Sequence, residues 1–166
     1  MIDNQQLDTV TNNRQFLSFI LADEEYATDI LKVQEIRDWT QATLVPNSPD
    51  YVEGVTNLRG QIIPIINLRT RFSLPNGDSL KNRIVIVLKI DDGHRSRLMG
   101  LLVDAFAETY DISDNDIKTA PSKISVIDDE FILGLATADE KMLILLDVDE
   151  LLTSNELTPT NNENVA

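Results

Sequence analysis

Short apolar runs, each bounded by turn-forming residues, recur along most of the chain. None of them shows the sustained 3.6-residue period of a long helix. The predicted strands lie at residues 16–21, 26–30, 61–66, 84–90, 98–103, 131–136 and 142–146. Many short strands at close spacing predict an all-β barrel or sandwich with little helix.

Turn and cap residues refine this pattern. Ser48 to Gly54 is predicted to form one helical turn, with Ser48 as its cap and Gly54 as its exit. Ser113 is predicted to cap a second short helix. Asn57 to Gly60 is predicted to be the loop of a hairpin. Pro64 cannot donate to a strand ladder, so its strand is predicted to be an edge strand or to bulge there.

An internal repeat relates the two halves of the chain. Residues 54–68 align without a gap on residues 134–148, an offset of 80, which places Gly54 on Gly134 and the helix-capping Asn67 on Asp147. A looser match at an offset of 73 places residues 27–35 on residues 100–108. The repeat predicts a duplicated small barrel. The predicted division of the chain is into tails at 1–14 and 153–166, both expected to be flexible, and pseudo-repeats at about 15–75 and 83–152.

Composition narrows the class of partner. The 166 residues are 42% hydrophobic, which is enough for a packed core, and no apolar run approaches the length of a membrane helix. The polar N-terminus does not have the pattern of a secretory signal, so we expect a soluble, cytoplasmic protein. A formal net charge of −14 disfavours nucleic acid and anionic lipid as partners.

Catalytic and metal-binding patterns are not found in the sequence. The single histidine, His94, lies in a predicted turn, there is no cysteine, and the glycines are too scattered for a phosphate loop. The segment from Asp111 to Asp116 resembles the start of a calcium loop, but Asp116 stands where that loop needs glycine. We therefore expect no enzyme activity, cofactor or metal, and predict a module that binds other proteins. A nucleic-acid-binding small barrel and an enzyme with an unrecognised site remain as alternatives.

Two segments resemble the CheW-like domain family. Residues 26–36 are similar to its early Y-x-x-x-I-x-x-V-x-E-I segment, and residues 54–69 to its G-x-x-N-x-R-G-x-x-x-P-x-x-D-L signature. Residues 100–104 resemble its G-x-x-V-D strand. Asn67 departs from the aspartate common in the family, and Ala136 from a frequent glycine. The resemblance covers about residues 15–152 and implies two intertwined, five-stranded small barrels of the OB or SH3 type, with exchanged strands and a few short helices.

The resemblance also implies function and partners. A CheW-like protein is a non-enzymatic adaptor that couples methyl-accepting chemotaxis receptors to the CheA histidine kinase. Its implied partners are the helical tip of the receptor, the regulatory domain of CheA and other CheW-like modules in rings within membrane-associated arrays. A paralogous scaffold for a non-motility array is the alternative that the same motif allows.

Residue by residue, the resemblance points to one set of contact positions. Receptor or kinase contacts are implied at Val33, Glu35, Ile36, Gly54, Arg59, Gly100, Val103 and Gly134. For Val33 and Ile36, burial in the core is the alternative, and Glu35 could be a solvated carboxylate. Arg59 could contact a partner or hold its own hairpin. Each of the glycines could instead be required by a positive φ or by close approach of another part of the chain.

Overall fold

Strand-forming segments joined by tight turns build nearly all of the structure, a computed structural model that describes residues 13–76, 82–121 and 127–153. The strands are β1 (Asn13–Leu21), β2 (Glu24–Asp29), β3 (Val33–Asp38), β4 (Val52–Leu58), β5 (Gln61–Asn67), β6 (Ile84–Asp91), β7 (Ser96–Val103), β8 (Ala105–Ser113), β9 (Ile132–Ala138) and β10 (Lys141–Leu146). Within these ranges the α-helices are α1 (Leu68–Arg71) and α2 (Val148–Thr153). Short 3-10 helices lie at Ile30–Lys32, Asp114–Asp116 and Asp129–Phe131. In this part of the chain no helix is long and apolar enough to cross a membrane.

The strands form two five-stranded sheets that exchange strands between the two halves of the chain. The first has the order β8-β1-β2-β10-β9 and the second the order β3-β6-β7-β5-β4. Each sheet thus combines two strands of one half with three of the other. The all-β prediction with exchanged strands is confirmed.

Strand register shows that the two sheets are copies of one design. Gly54 pairs with Ile65 in the β4–β5 hairpin, and Gly134 pairs with Leu145 in the β9–β10 hairpin, at the predicted offset of 80. In the parallel pairs, Ile65 faces Gly100 and Leu145 faces Ala27, which reproduces the looser offset of 73. The exchange is therefore symmetric, because each half supplies its first two strands to one sheet and its last three strands to the other.

A single backbone bridge closes each sheet into a barrel. In the second barrel, Thr43 and Val55 exchange two hydrogen bonds of 2.9 Å. In the first barrel, Lys118 and Leu135 exchange two of 2.8 Å. We call the gap between β3 and β4 the second seam, and the gap between β8 and β9 the first seam.

Three buried clusters stabilise this arrangement. One fills the first barrel around Phe16 and Leu145, and another fills the second barrel around Ile63 and Val87. The largest lies between the barrels and combines side chains of both, including the stacked rings of Phe19 and Tyr26. Because this shared core belongs to neither barrel alone, the hydrophobic effect holds the two barrels together as one unit.

The structure places the predicted capping residues at the starts of short helices. The Asn67 side chain accepts a hydrogen bond from Thr70 N, and the Asp147 side chain accepts one from Glu150 N. Ser113 caps the 3-10 helix that follows it. These three capping predictions are confirmed.

Other local predictions were wrong. Ser48 to Gly54 is not a helical turn, because the chain turns at Pro49, whose carbonyl accepts from Val52 N, and enters β4 at once. Pro64 lies in β5, which is an inner strand of its sheet; β5 begins to pair with β7 only at Ile65, so the missing donor of Pro64 costs no bond to β7.

Two strands, β3 and β8, were not predicted from the sequence. Both carry mostly exposed or half-buried polar residues and lie at the outer edge of their sheets, so they lack a strong apolar signal. The N-terminal tail was predicted to reach residue 14, but β1 already begins at Asn13. The rest of that tail, and the C-terminal tail after Thr153, lie outside the described residues.

Candidate partner-binding surfaces

The second seam brings together two residues that the sequence singled out separately. Glu35 lies on β3 and Arg59 in the turn of the β4–β5 hairpin, where its φ is +51°. Nη1 of Arg59 donates to Oε2 of Glu35 across 2.6 Å, and Arg37 reaches the other carboxylate oxygen at 3.4 Å. The hydrogen bond from Arg59 holds the pKa of Glu35 below its ordinary value, so the pair is ionised at neutral pH.

The two roles proposed for Arg59 are therefore both compatible with one side chain. It holds the hairpin to β3 through Glu35, yet the Arg59 side chain remains 70% exposed and can still meet a partner. An exposed ion pair contributes little to stability, because water and salt screen it. The Glu35–Arg59 pair therefore mainly fixes the positions of two charged side chains at the surface, and it adds little to the stability of the fold.

Exposed apolar side chains lie in the same segment of the chain as Glu35. Ile36 on β3 is 39% exposed and Leu31, just before β3, is 87% exposed. Val33 is half-buried and packs against the shared core. Ile36 is thus available to a partner, whereas Val33 mainly supports β3 from beneath.

A cleft opens into the second barrel along the same seam. It has a volume of about 60 Å³. Arg37 and Trp39 line it on the β3 side, Asn57 lines it on the β4 side, and Ile63 of the barrel core lies at its base. Apolar depth under a polar rim is a suitable setting for one apolar side chain of a partner.

The glycines have a structural explanation. A Cβ on Gly54 would lie 2.3 Å from the carbonyl oxygen of Thr43, and the φ of Gly54 is +146°. A Cβ on Gly134 would lie 2.7 Å from the carbonyl oxygen of Lys118, and one on Gly100 would lie 2.5 Å from Cδ1 of Ile65. All three glycines are buried. Close approach of the chain at the closing bridges and in the core accounts for them without a partner.

The position of Val103 contradicts its expected role. Its side chain is 0% exposed and belongs to the shared core, so it cannot line an open groove. Neighbouring Asp104 is half-buried and joins the two barrels instead. It accepts two hydrogen bonds from Arg69, at 2.8 and 2.6 Å, and one from Ala22 N in the turn between β1 and β2.

The charge state of Asp104 follows from these contacts. Burial by itself raises the pKa of Asp104, but the hydrogen bonds from Arg69 and Ala22 and the charges of Arg69 and Arg83 outweigh it. The pKa therefore lies below its ordinary value, and Asp104 remains a carboxylate at neutral pH.

The hairpin end of the first barrel was not singled out from the sequence. Met142 there is 58% exposed and lines a groove of about 400 Å³ together with Pro121 and Leu135. Its counterpart at the offset of 80 is Ile62, which is 60% exposed at the hairpin end of the second barrel. Ile62 stands directly beside Ile63, and since successive strand residues point to opposite faces, that pair was a signal that one of them faces outward.

Among the residues described, no group of three His, Asp or Glu side chains is placed to hold a metal ion. His94 lies exposed in the turn between β6 and β7, as predicted. An exposed apolar residue on β3, the strand that also carries one partner of an exposed ion pair, is a feature of a surface that binds proteins.

The fold and these surfaces define a class: a duplicated small-barrel module with apolar surface at its barrel ends. Comparison with known proteins gives the family. The model of the CheW-like domain matches residues 15–156, and the chain belongs to this family.

Relatives and a solved structure agree with this assignment. The chain is 41% identical to "Chemotaxis protein CheW" of Klebsiella aerogenes over 152 residues, covering 92% of this chain and 89% of the relative. It is 34% identical to the protein of the same name in Treponema pallidum, covering 97% and 96%. Its fold is similar to the crystal structure of the scaffolding protein TtCheW from Thermoanaerobacter tengcongensis, with a TM-score of 0.76, 34% identity, and coverage of 89% and 93%.

Proposed function

We propose that this protein is a non-enzymatic chemotaxis adaptor that joins methyl-accepting receptors to a CheA-type histidine kinase in cytoplasmic arrays at the membrane. The main support is the match of nearly the whole domain to proteins named for chemotaxis and, in one case, for scaffolding. The exposed surface around Glu35, Arg59 and Ile36 is consistent with this role, because it offers charge and apolar area without catalytic groups.

Different surfaces serve different partners in this proposal. The receptor tip is helical, and it contacts the second seam, where Ile36 and the Glu35–Arg59 pair are exposed. The hairpin ends that carry Ile62 and Met142 each take a homologous barrel module, from the kinase or from another CheW-like chain. Apolar contact supplies affinity at both ends.

Weak individual contacts are sufficient for such an adaptor. Once one partner is bound in an array, the next contact forms at high effective concentration. Receptor state alters kinase activity only if the adaptor binds the receptor states with different free energies. A rigid pair of barrels suits this task, because a shift of the receptor at one surface changes the position of the kinase at another.

Reconstitution tests the proposal directly. Receptor-containing membranes and the kinase are combined with and without the purified protein, and both co-sedimentation and kinase autophosphorylation are followed. We expect all three components to pellet together and autophosphorylation to rise and to respond to attractant. Absence of binding to either partner contradicts the proposal. Binding without stimulation instead identifies a paralogous scaffold of another array.

A pair of matched variants locates the receptor surface. Ile36→Asp places a charge on an apolar residue that is 39% exposed at the second seam, and Leu133→Asp does the same at one that is 41% exposed on the first barrel. We expect Ile36→Asp to weaken receptor binding about tenfold or more, and Leu133→Asp to leave it nearly unchanged. Equal losses would contradict the assignment of the receptor to the second seam.

A further inference from the structure

All the sulfur atoms of the chain belong to methionine residues. The sequence has three methionines and no cysteine. Met1 lies outside the described residues, and Met99 is 4% exposed within the shared core. Met142 is 58% exposed. With no thiol in the chain to react first, an oxidant that reaches the described part of the protein meets the thioether of Met142 before that of Met99.

Met142 also occupies a place where its polarity matters. It lies at the start of β10, beside the tight turn of the β9–β10 hairpin, and pairs with Thr137. Its side chain borders the groove formed with Pro121 and Leu135. The other barrel has Ile62 at the equivalent position, which is equally exposed but chemically inert. One barrel end can therefore be oxidised, and its counterpart cannot.

We propose that Met142 is a reversible oxidation site that weakens binding at the hairpin end of the first barrel. A lone pair of the Met142 sulfur attacks one oxygen of hydrogen peroxide, the O–O bond breaks, and the departing hydroxide takes the proton of the transferred oxygen to form water. The sulfur loses two electrons and the peroxide gains them. The product is methionine sulfoxide, which a sulfoxide reductase returns to the thioether at the expense of two thiols that become a disulfide.

The expected consequence follows from polarity. Sulfoxide formation turns a flexible apolar side chain into a polar one, which must be desolvated before an apolar partner surface can cover it. The Ile62 end of the second barrel keeps its apolar contact under the same conditions. Oxidation would thus release one barrel end and spare the other. This regulatory part of the inference rests on the proposed function, whereas the chemistry at Met142 does not.

Peptide mass spectrometry tests the chemistry without any partner. The folded protein is treated with dilute hydrogen peroxide, and gain of one oxygen is followed at Met99 and Met142. We expect Met142 to react about tenfold faster or more, and the two residues to react at similar rates once the protein is unfolded in urea. Equal rates in the folded protein, or no reaction at Met142, would overturn the proposal.

Binding measurements test the regulation. Untreated and oxidised protein are titrated with the purified regulatory domain of the kinase, alongside Met142→Ile, which copies the residue of the other barrel. We expect oxidation to weaken binding by the wild type at least about fivefold, to leave Met142→Ile unaffected, and to be reversed by sulfoxide reductase with a dithiol. Unchanged affinity with Met142 fully converted overturns the regulatory role. Failure of the untreated protein to bind contradicts the proposed function instead, and the oxidation site is then judged on the mass spectra alone.

Discussion

The two barrels share a backbone design, but matching positions carry different chemistry. Arg59 and Asp139 are counterparts in the two hairpin turns, with φ of +51° and +52°. Glu35 pairs with Arg59 across the second seam. Its counterpart Glu108 accepts a hydrogen bond from Tyr110 at 3.0 Å, and the matching turn residue, Asp139, is itself acidic. The two barrels therefore keep the same backbone, whereas the second seam carries an ion pair at positions where the first carries two acidic residues.

The junctions between barrels show the same divergence. Arg69 on α1 pairs with Asp104, which follows β7. Its counterpart at the offset of 80 is Asp149 on α2, which pairs with Lys32, just after β2. The charges are reversed, yet Asp104 and Asp149 each also accept a hydrogen bond from the backbone of a hairpin. Either order of charges is therefore compatible with the geometry of the junction.

Arg71 contacts aromatic residues at equivalent positions of the two repeats. Arg71 packs its guanidinium over the ring of Tyr51 at 5.2 Å and over the ring of Phe131 at 5.0 Å. These two aromatic residues are 80 positions apart and occupy equivalent places before β4 and β9. The Arg71 guanidinium thus forms cation–π contacts with both repeats, in addition to the apolar contacts of the shared core.

The largest effect is expected at the closing bridges. Gly54→Ala forces a Cβ onto the carbonyl of Thr43 at a positive φ, whereas Gly134→Ala meets Ile117 and Lys118 at 2.7 Å. We expect Gly54→Ala to lower the free energy of unfolding by about 3 kcal/mol and Gly134→Ala by about 2 kcal/mol. Urea denaturation measures both. The reverse order would show that the first barrel depends more on its bridge than the second.

The junction carboxylates come next. Asp104 is 19% exposed and accepts from Arg69 twice, while Asp149 is 31% exposed and pairs with a lysine. We expect Asp104→Asn to cost about 2 kcal/mol and Asp149→Asn about 1 kcal/mol of stability. Urea denaturation at neutral pH compares them. Equal costs would mean that the two junctions are equivalent in energy despite their different partners.

Low pH should remove the contribution of Asp104 to stability. The folded-state pKa of Asp104 is depressed, so its stabilising contribution is complete above the ordinary aspartate value of about 4 and is lost as pH falls through the lower folded value. The stability gap between wild type and Asp104→Asn should therefore be constant near neutrality and shrink below about pH 4. Urea midpoints measured across this range provide the check. A gap that persists in strong acid would contradict the assignment.

Charge reversal at the second seam tests binding. We expect Glu35→Lys to weaken assembly with receptor and kinase about tenfold or more, since it removes the acceptor of Arg59 and places like charges together. Glu108→Lys is the control at the matching position of the first barrel. Co-sedimentation measures both variants, and a folded Glu35→Lys variant with normal affinity would remove Glu35 from the contact surface.

The smallest effect should come from copying one seam onto the other. Asp139→Arg places a cation in the turn opposite Glu108, at the same φ as Arg59. We expect the melting temperature to rise by at most about 3 °C, with Asp139→Asn as the control that removes charge without adding a pair. A fall in melting temperature would show that the first seam lacks the geometry of the second.

Features that depend on the local order of apolar and capping residues, or on the internal repeat, could be predicted from the sequence. The apolar runs, the caps at Asn67 and Asp147, and the offset of 80 are sufficient to predict an all-β duplicated fold. The same pattern failed at Ser48 to Gly54, where cap residues typical of a helix form a turn into a strand. Local preference is weak over so few residues, and pairing with β5 and Thr43 decides the outcome.

What only the tertiary structure decided is which side chains meet and which face outward. Glu35 and Arg59 are 24 residues apart in sequence, and barrel closure alone brings them to 2.6 Å. Val103 and Met142 are both apolar strand residues, yet one is buried between the barrels and the other is exposed at a hairpin end. Sequence period determines that a strand has two faces, whereas the exchange of strands between barrels determines what each face meets.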